Sequence, residues 1–174
     1  MELSTKENKV SKKTKVTRED ILDFQDIISN MEGAFHGDTE LCPLKHTFAD
    51  GIYVREITIP KGTCGVGKIH KHDHPNFLLK GKVKVITEGK GFEVINAPCA
   101  MISDAGTKRI VETLTDTVWV TVHTNPTNTR DLVVLEKHII AESFEVFEKF
   151  KELNSEKNPF KKGIIYLKQL LKLS

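Results

Sequence analysis

Between residues 52 and 123 the chain consists of short runs rich in valine, isoleucine and threonine, separated by turns that contain glycine or proline. Successive turns lie roughly eight to fifteen residues apart, a spacing that favours antiparallel strands over alternating strands and helices. A chain of 174 residues with 39% hydrophobic content has enough apolar surface for one such domain. The sequence therefore predicts a mainly β, small antiparallel barrel with strands at 52–59, 67–76, 77–79, 82–87, 92–95, 100–103, 109–113 and 117–123.

Two segments precede the predicted barrel, which spans 51–123. Residues 1–16 are rich in lysine and poor in apolar side chains, a composition typical of a basic flexible arm. Thr17 and Asp20 have the spacing of a capping box, so 17–50 is predicted to hold a short helix and a lead-in loop. The apolar positions of that helix are Ile21, Phe24, Ile28 and Met31, and Gly33 and Gly37 are predicted to end it.

Residues 124–174 are predicted to form a loop and C-terminal helices. Residues 124–129 consist of threonine, asparagine and proline, a composition typical of a loop, and Asp131 begins a second helical pattern. A final leucine-rich stretch, 164–173, is predicted to be a short amphipathic helix. Docking on the protein's own barrel is the default expectation, since no repeat or heptad pattern requires another chain; a partner subunit or another protein is the alternative. The predicted apolar face of the preceding helix consists of Ile140, Phe144, Phe147 and Phe150.

The run 69–76 places three histidines, His70, His72 and His74, at a spacing of two. Side chains on a β-strand alternate between faces, so all three imidazoles are predicted to point to one side. A neutral imidazole is a common ligand for zinc, nickel, iron or copper, and the pattern therefore indicates most of a metal site. His123, at the end of the last strand, is the candidate fourth ligand. The alternatives are a histidine-rich loop, or one paired histidine and two solvated ones.

Composition and charge narrow the function classes. The net charge of +2 does not indicate a nucleic-acid partner, and aromatic residues are not interleaved with basic ones to stack on single strands. No apolar run suits a signal peptide or reaches the roughly twenty residues of a membrane span, so a cytoplasmic protein is expected. Cys42, Cys64 and Cys99 lack paired spacing, which predicts free thiols instead of disulfides or a thiolate zinc site.

The histidine run and its surroundings resemble the cupin superfamily, small β-barrels whose first motif places His-x-His between two glycines. Residues 65–81, which include His70 and His72, follow that first motif, and residues 104–109 follow the second. The chain also resembles, more narrowly, short cupin proteins encoded in tailed-bacteriophage genomes. This resemblance implies a jelly-roll cupin barrel and a divalent transition metal, namely zinc, iron, nickel or manganese. The segments that carry the narrower resemblance are 43–46, 51–56, 69–71, 74–76, 106–109 and 116–119, with Phe48.

Two positions depart from the cupin motifs. The glutamate ligand of the first motif is absent and His74 stands in its place, while Arg109 replaces the histidine of the second. A guanidinium stays protonated and cannot ligate a metal, so any metal would be held by the histidines of 70–74, together with His123. Pro75 removes a ladder donor, which leaves open a bend within the histidine run.

Arg109 has two interpretations. Facing the barrel interior, it would bind the carboxylate or phosphate of a small anionic ligand, with Asn76 as a second candidate ligand-binding residue. Facing outward, it would pair with Glu112 or another acid, and such a surface pair contributes little to stability.

Two functions are predicted from these features. The first is a non-catalytic phage-type cupin that serves as a binding module or as a virion or assembly scaffold, favoured by the missing glutamate, Arg109 and the lysine-rich ends. The alternative, favoured by the histidine cluster and by Arg109, is a metal-dependent dioxygenase, isomerase or hydrolase acting on a small anionic substrate. The expected partners are a second copy of the chain in a homodimer, or other phage proteins, contacted through the chain ends. Neither a membrane nor a nucleic acid is an expected partner, and the expected location is the host cytoplasm or the virion.

Overall fold

The computed structural model describes residues 15–35 and 38–155, together with positions 159, 163, 164, 167 and 171. Antiparallel strands dominate this part of the chain, with one helix before them and two near the end, on either side of a short final strand. The helices are α1 (Arg18–Ser29), α2 (Leu132–Ile139) and α3 (Phe144–Asn154). The strands are β1 (Leu44–Ala49), β2 (Ile52–Ile59), β3 (Cys64–Val66), β4 (Ile69–His70), β5 (His74–Lys80), β6 (Lys82–Thr87), β7 (Gly91–Asn96), β8 (Cys99–Ser103), β9 (Arg109–Thr113), β10 (Thr117–Thr124) and β11 (Ile140–Ala141).

Two antiparallel sheets form the barrel. The first has the order β1-β2-β10-β5-β8 and the second the order β3-β9-β6-β7. Leu78 and Trp119 of the first sheet and Val83 and Val85 of the second form one buried cluster, so the sheets pack face to face. The predicted fold class is confirmed: a mainly antiparallel barrel of jelly-roll type, with an N-terminal helix and a C-terminal helical extension.

Local patterns located most of the strands. β2, β6 and β9 have the predicted bounds, β8 and β10 are one residue longer at one end, and β7 is one residue longer at each end. The single strand predicted over 67–76 is wrong, because β4 ends at His70 and a new strand begins at His74. The backbone N–H of Lys71 donates to the carbonyl of Ile139 at 2.7 Å, and the chain bends at Lys71 and His72. β1 lies in the segment predicted to be a lead-in loop.

Thr17 caps α1 as predicted. Its hydroxyl oxygen accepts a hydrogen bond from the backbone N–H of Asp20 at 3.3 Å, and the Asp20 carboxylate accepts one from the N–H of Thr17 at 2.8 Å. Ile21 is buried, whereas Met31 lies beyond the end of the helix and is exposed. Gly37 and positions 1–14 of the predicted basic arm lie outside the described residues.

The C-terminal extension covers one end of the barrel. Leu135 and Ile139 of α2 pack on Tyr53 of β2, and Phe147 of α3 packs with Ile69 of β4. β11 then adds a short antiparallel pair with β4. Non-local pairing of this kind holds β4 in place against the barrel.

Two predictions for the C-terminal region require comment. A continuous helical face from Ile140 to Phe150 is wrong, because Ile140 belongs to β11 and Ser143 caps a separate helix, α3. Of the predicted helix 164–173, only positions 164, 167 and 171 are described, so its docking lies outside the described residues. Within the described ranges, no helix has both the length and the apolar character needed to cross a membrane. All three cysteines are free thiols.

Candidate metal centre

Three histidines meet at the end of the barrel that the C-terminal extension covers. His70 ends β4, His74 begins β5 and His123 lies near the end of β10. One ring nitrogen of each lies within 4.8 Å of the others. The ring centroids are 4.1 Å apart for His70 and His74, 4.8 Å for His74 and His123, and 5.1 Å for His70 and His123. Side chains from three strands thus form one compact imidazole cluster.

Each histidine is positioned by its strand. His123 shares the buried face of β10 with Trp119 and Thr121, and His74 shares the buried face of β5 with Asn76. His70 depends on the extension, since its Cα pairs with that of Ile140 across β4 and β11. Its carbonyl also accepts a hydrogen bond from the backbone N–H of Gly106 at 2.8 Å.

A backbone contact orients the ring of His74. Its Nδ1 lies 3.2 Å from the carbonyl oxygen of His72, and a carbonyl oxygen only accepts, so Nδ1 carries the proton. The Nε2 atom of His74 then has a free lone pair. Metal-ligating histidines usually donate their second ring N–H to a carbonyl or carboxylate in this way.

The electrostatics of the cluster favour neutral imidazoles. Burial, followed by the neighbouring charges of His74, His123 and Arg55, lowers the pKa of His70 to about 2. Burial, followed by His74 and Arg55, lowers the pKa of His123 to about 3. Burial also lowers the pKa of His74, and Arg109 acts in the same direction. Neutral imidazoles keep the lone pairs that a metal ion requires.

The donor set fits a transition metal. Three neutral nitrogen donors suit zinc, iron or nickel better than calcium or magnesium, which prefer oxygen. Two nitrogens bound to one tetrahedral zinc lie about 3.4 Å apart. The ring nitrogens here are separated by up to 4.8 Å, so the imidazole rings must rotate to bring all three within bonding distance of one metal ion. Among the described residues no carboxylate joins the three histidines, and a metal held by them retains open coordination positions.

The structure does not bring His72 into this cluster. Its ring lies against His138, at a centroid distance of 5.4 Å, and meets Phe150 edge-on at 5.3 Å. The bend after His70 breaks the strand alternation on which the prediction for His72 depended. His72 instead contributes its backbone carbonyl, which orients His74.

Arg109 faces the barrel interior. Its Nη1 donates to the hydroxyl of Ser103 at 2.6 Å, and Ser103 lies directly opposite His74 across β8 and β5. The predicted surface pair between Arg109 and Glu112 is not formed, because the Glu112 carboxylate contacts Nζ of Lys84 at 3.4 Å. The Arg109 side chain therefore crosses from the second sheet to the first and ends beside the histidine cluster.

Asn76 is held by the protein itself. Its side-chain N–H group donates to the Ser103 hydroxyl at 2.7 Å, and its carbonyl oxygen accepts from Nε1 of Trp119 at 2.9 Å. A buried amide with these partners holds Ser103 in place, and Ser103 in turn contacts Arg109. Asn76 is thus linked to Arg109 through the Ser103 hydroxyl.

Sequence reasoning missed two residues of the site, Tyr53 and Arg55 on β2. The ring of Tyr53 stacks near that of His123, at 6.1 Å, and its hydroxyl lies 2.7 Å from Nδ1 of His46. Arg55 is half-buried on the same face of β2 and its charge acts on His70 and His123. The available signal was the strand's alternation, which places residues 53, 55 and 57 on one face.

No protein-family model matches the chain, and no curated protein matches it. Among solved structures, the chain is similar to ectoine synthase from P. lautus, with a TM-score of 0.47 and 16% identity over 68% of this chain and 90% of that one. It is also similar to KdgF from Halomonas sp., with a TM-score of 0.45 and 16% identity over 60% and 95% of the two chains. A third similar structure is an RmlC-like cupin family protein with a double-stranded β-helix fold from Methanocaldococcus jannaschii, with a TM-score of 0.42 and 10% identity over 52% and 86%.

Proposed function

We propose that this protein binds one divalent transition metal through His70, His74 and His123, inside its β-barrel. The observation that carries the proposal is the convergence of three ring nitrogens within 4.8 Å, from three different strands. Burial keeps these rings neutral, and the His74 ring is already oriented by a backbone carbonyl. Zinc, iron, nickel and manganese are the candidate ions, with nitrogen donors favouring the first three.

The second part of the proposal is that the metal and Arg109 together bind a small anionic ligand. Three protein ligands leave coordination positions for an external donor. The guanidinium of Arg109 ends beside His74 and makes its hydrogen bond to a neutral hydroxyl, Ser103, so donors remain for an anion. A metal ion with an adjacent guanidinium is a cationic site, and a small anion complements it.

The finer form of the proposal is a non-catalytic binding module that serves in a phage-encoded assembly. Its support is the sequence resemblance to short cupins of tailed-phage genomes, together with an apolar outer surface on the first sheet. Phe77, Leu79 and Ile102 on this surface are 36, 54 and 62% exposed. Such a surface is typical of a contact with another chain.

Elemental analysis of the full-length protein, purified without a histidine tag, tests the metal site. We expect about one transition metal per chain, and we expect His74→Ala to remove most of it, because a three-ligand site loses one of its donors. His72→Ala is the matched control, since His72 lies two residues away but has its ring against His138. Absence of metal from the wild type after reconstitution with zinc, nickel and iron would overturn the proposal, as would equal loss in both variants.

A further inference from the structure

Arg55 lies on the inner face of β2. Tyr53, two residues before it, stacks near His123, and Ile57, two residues after it, packs on the buried cluster of Leu78 and Trp119. Strand alternation therefore directs the side chain of Arg55 into the barrel. Its cross-strand partner is Thr121, which lies two residues before His123 on β10.

Arg55 and Arg109 approach the histidine cluster from different sheets. Arg55 belongs to the first sheet, on the same face of β2 as Tyr53, whose ring centroid lies 6.1 Å from that of His123. Arg109 belongs to the second sheet, and its guanidinium reaches Ser103, opposite His74. Two cationic side chains thus extend from different sheets toward the interior that holds the three imidazoles.

Among the residues that the structure describes, no acid contacts either guanidinium. Within the described residues, the ion pairs join Arg18 to Glu88, Lys68 to Glu136, and Lys84 to Glu112. Glu136 and Asp38 act on Arg55 only at longer range, as do Glu93 and Asp104 on Arg109. Removing a cation from water without a contacting anion is costly, and two such cations at one site indicate a ligand that supplies the anions.

We propose that Arg55 and Arg109 are two anion-binding arms of one site, and that its ligand is a small organic dicarboxylate. One carboxylate lies at each guanidinium, and the segment between them faces the three histidines. A planar guanidinium presents paired N–H donors that match the two oxygens of a carboxylate, which suits arginine better than lysine to this task. The inference deepens the proposed function, on which it rests, by naming the class of ligand.

Calorimetric titration of the full-length, tag-free protein tests the dicarboxylate. Succinate and glutarate are compared with propionate and inorganic phosphate at constant ionic strength. We expect at least one dicarboxylate to bind about tenfold or more tightly than either control anion, because it engages both arms. Equal or tighter binding of propionate or phosphate would overturn the proposal.

Variants then assign the two arms. Arg55→Gln and Arg109→Gln are each expected to weaken binding of the dicarboxylate about tenfold, to the level of propionate, while Arg18→Gln leaves it unchanged. Arg18 is a suitable control because its guanidinium is exposed and pairs with Glu88. Arg55→Lys keeps the positive charge and is expected to retain part of the affinity. It provides a second test of Arg55 if the Arg55→Gln variant fails to fold. Wild-type affinity in Arg55→Gln would exclude Arg55 from the site.

Metal content separates this inference from the proposed function. We expect Arg55→Gln to retain the metal of the wild type, because Arg55 is not a ligand. If the wild type binds no metal but still prefers the dicarboxylate through both arginines, the metal proposal fails and the two-arm site stands. If metal is bound and no dicarboxylate is preferred, the two-arm site fails alone.

Discussion

Burial keeps the imidazoles of His70, His74 and His123 neutral at a pH where exposed histidines begin to take up protons. In the unfolded chain the same groups titrate near the ordinary value of 6.5. Below that pH the unfolded state binds more protons than the folded state, so stability rises with pH. The stabilisation is fully present above about pH 6.5, and is lost as the pH falls toward the folded values.

We therefore expect the free energy of unfolding of the metal-free protein to decrease steadily between pH 6.5 and 4. His123, which is 8% exposed, contributes at most about 1.4 kcal/mol per pH unit. Urea unfolding of protein treated with chelator, followed at several pH values, measures this slope. His123→Gln cannot take up the proton, so its curve should be flatter; a curve parallel to that of the wild type would contradict the assignment.

The sequence indicated these site residues unequally. His70 and His74 stand out because histidine is uncommon and the spacing of two is regular. The ring of His72 was misplaced because alternation holds only within a continuous strand, and the N–H of Lys71 turns to Ile139 instead. Arg55 was missed because a charged residue among apolar ones is normally read as solvated, and only tertiary packing shows that it is not.

At the level of elements, local signals were sufficient where the cause of structure is local. The capping box at Thr17 and the bounds of β2, β6 and β9 follow from residues next to one another in sequence. The pairing of β4 with β11 joins two-residue strands that are distant in sequence, and no local pattern encodes it. That pairing nevertheless fixes His70, so the metal centre depends on the least predictable element of the fold.

Gly106 tests the link between the extension and the metal centre. It has φ of +79°, and an added Cβ would lie 2.4 Å from Cε1 of Phe147 in α3. We expect Gly106→Ala to destabilise the protein by about 2–4 kcal/mol, from left-handed backbone strain and overpacking, and to weaken metal binding, because Gly106 donates to the carbonyl of His70.

The matched control for that change is Gly33→Ala. Gly33 has nearly the same φ, +82°, but its added Cβ would meet nothing within 4 Å. Gly33→Ala is expected to lower the free energy of unfolding by about 1–2 kcal/mol, from backbone strain alone, and to leave the metal affinity unchanged. Thermal unfolding and zinc titration of the two variants measure both effects, and an equal loss of stability in the two would refute the packing argument.

On the scale of the whole molecule, the first sheet carries an apolar outer surface at its edge. β8 is an edge strand of that sheet and pairs with β5. Ile102 of β8 lies opposite Pro75 of β5, and Phe77 is two residues farther along β5 on the same face. An edge strand with exposed apolar side chains is open to pairing with a second chain. We therefore expect a homodimer formed through this surface.

Light scattering of the full-length protein with two variants tests the dimer. We expect Ile102→Glu to give a monomer, because it places an unpaired charge in the apolar contact. Val133→Glu is the matched control: both side chains are 62% exposed, but Val133 lies on α2, away from the sheet edge, and should leave the dimer intact. A chain ending at residue 158 tests the sequence-based expectation that helix 164–173 makes the contact. A dimer that survives Ile102→Glu but is lost on that truncation would assign the interface to the C-terminal helix instead.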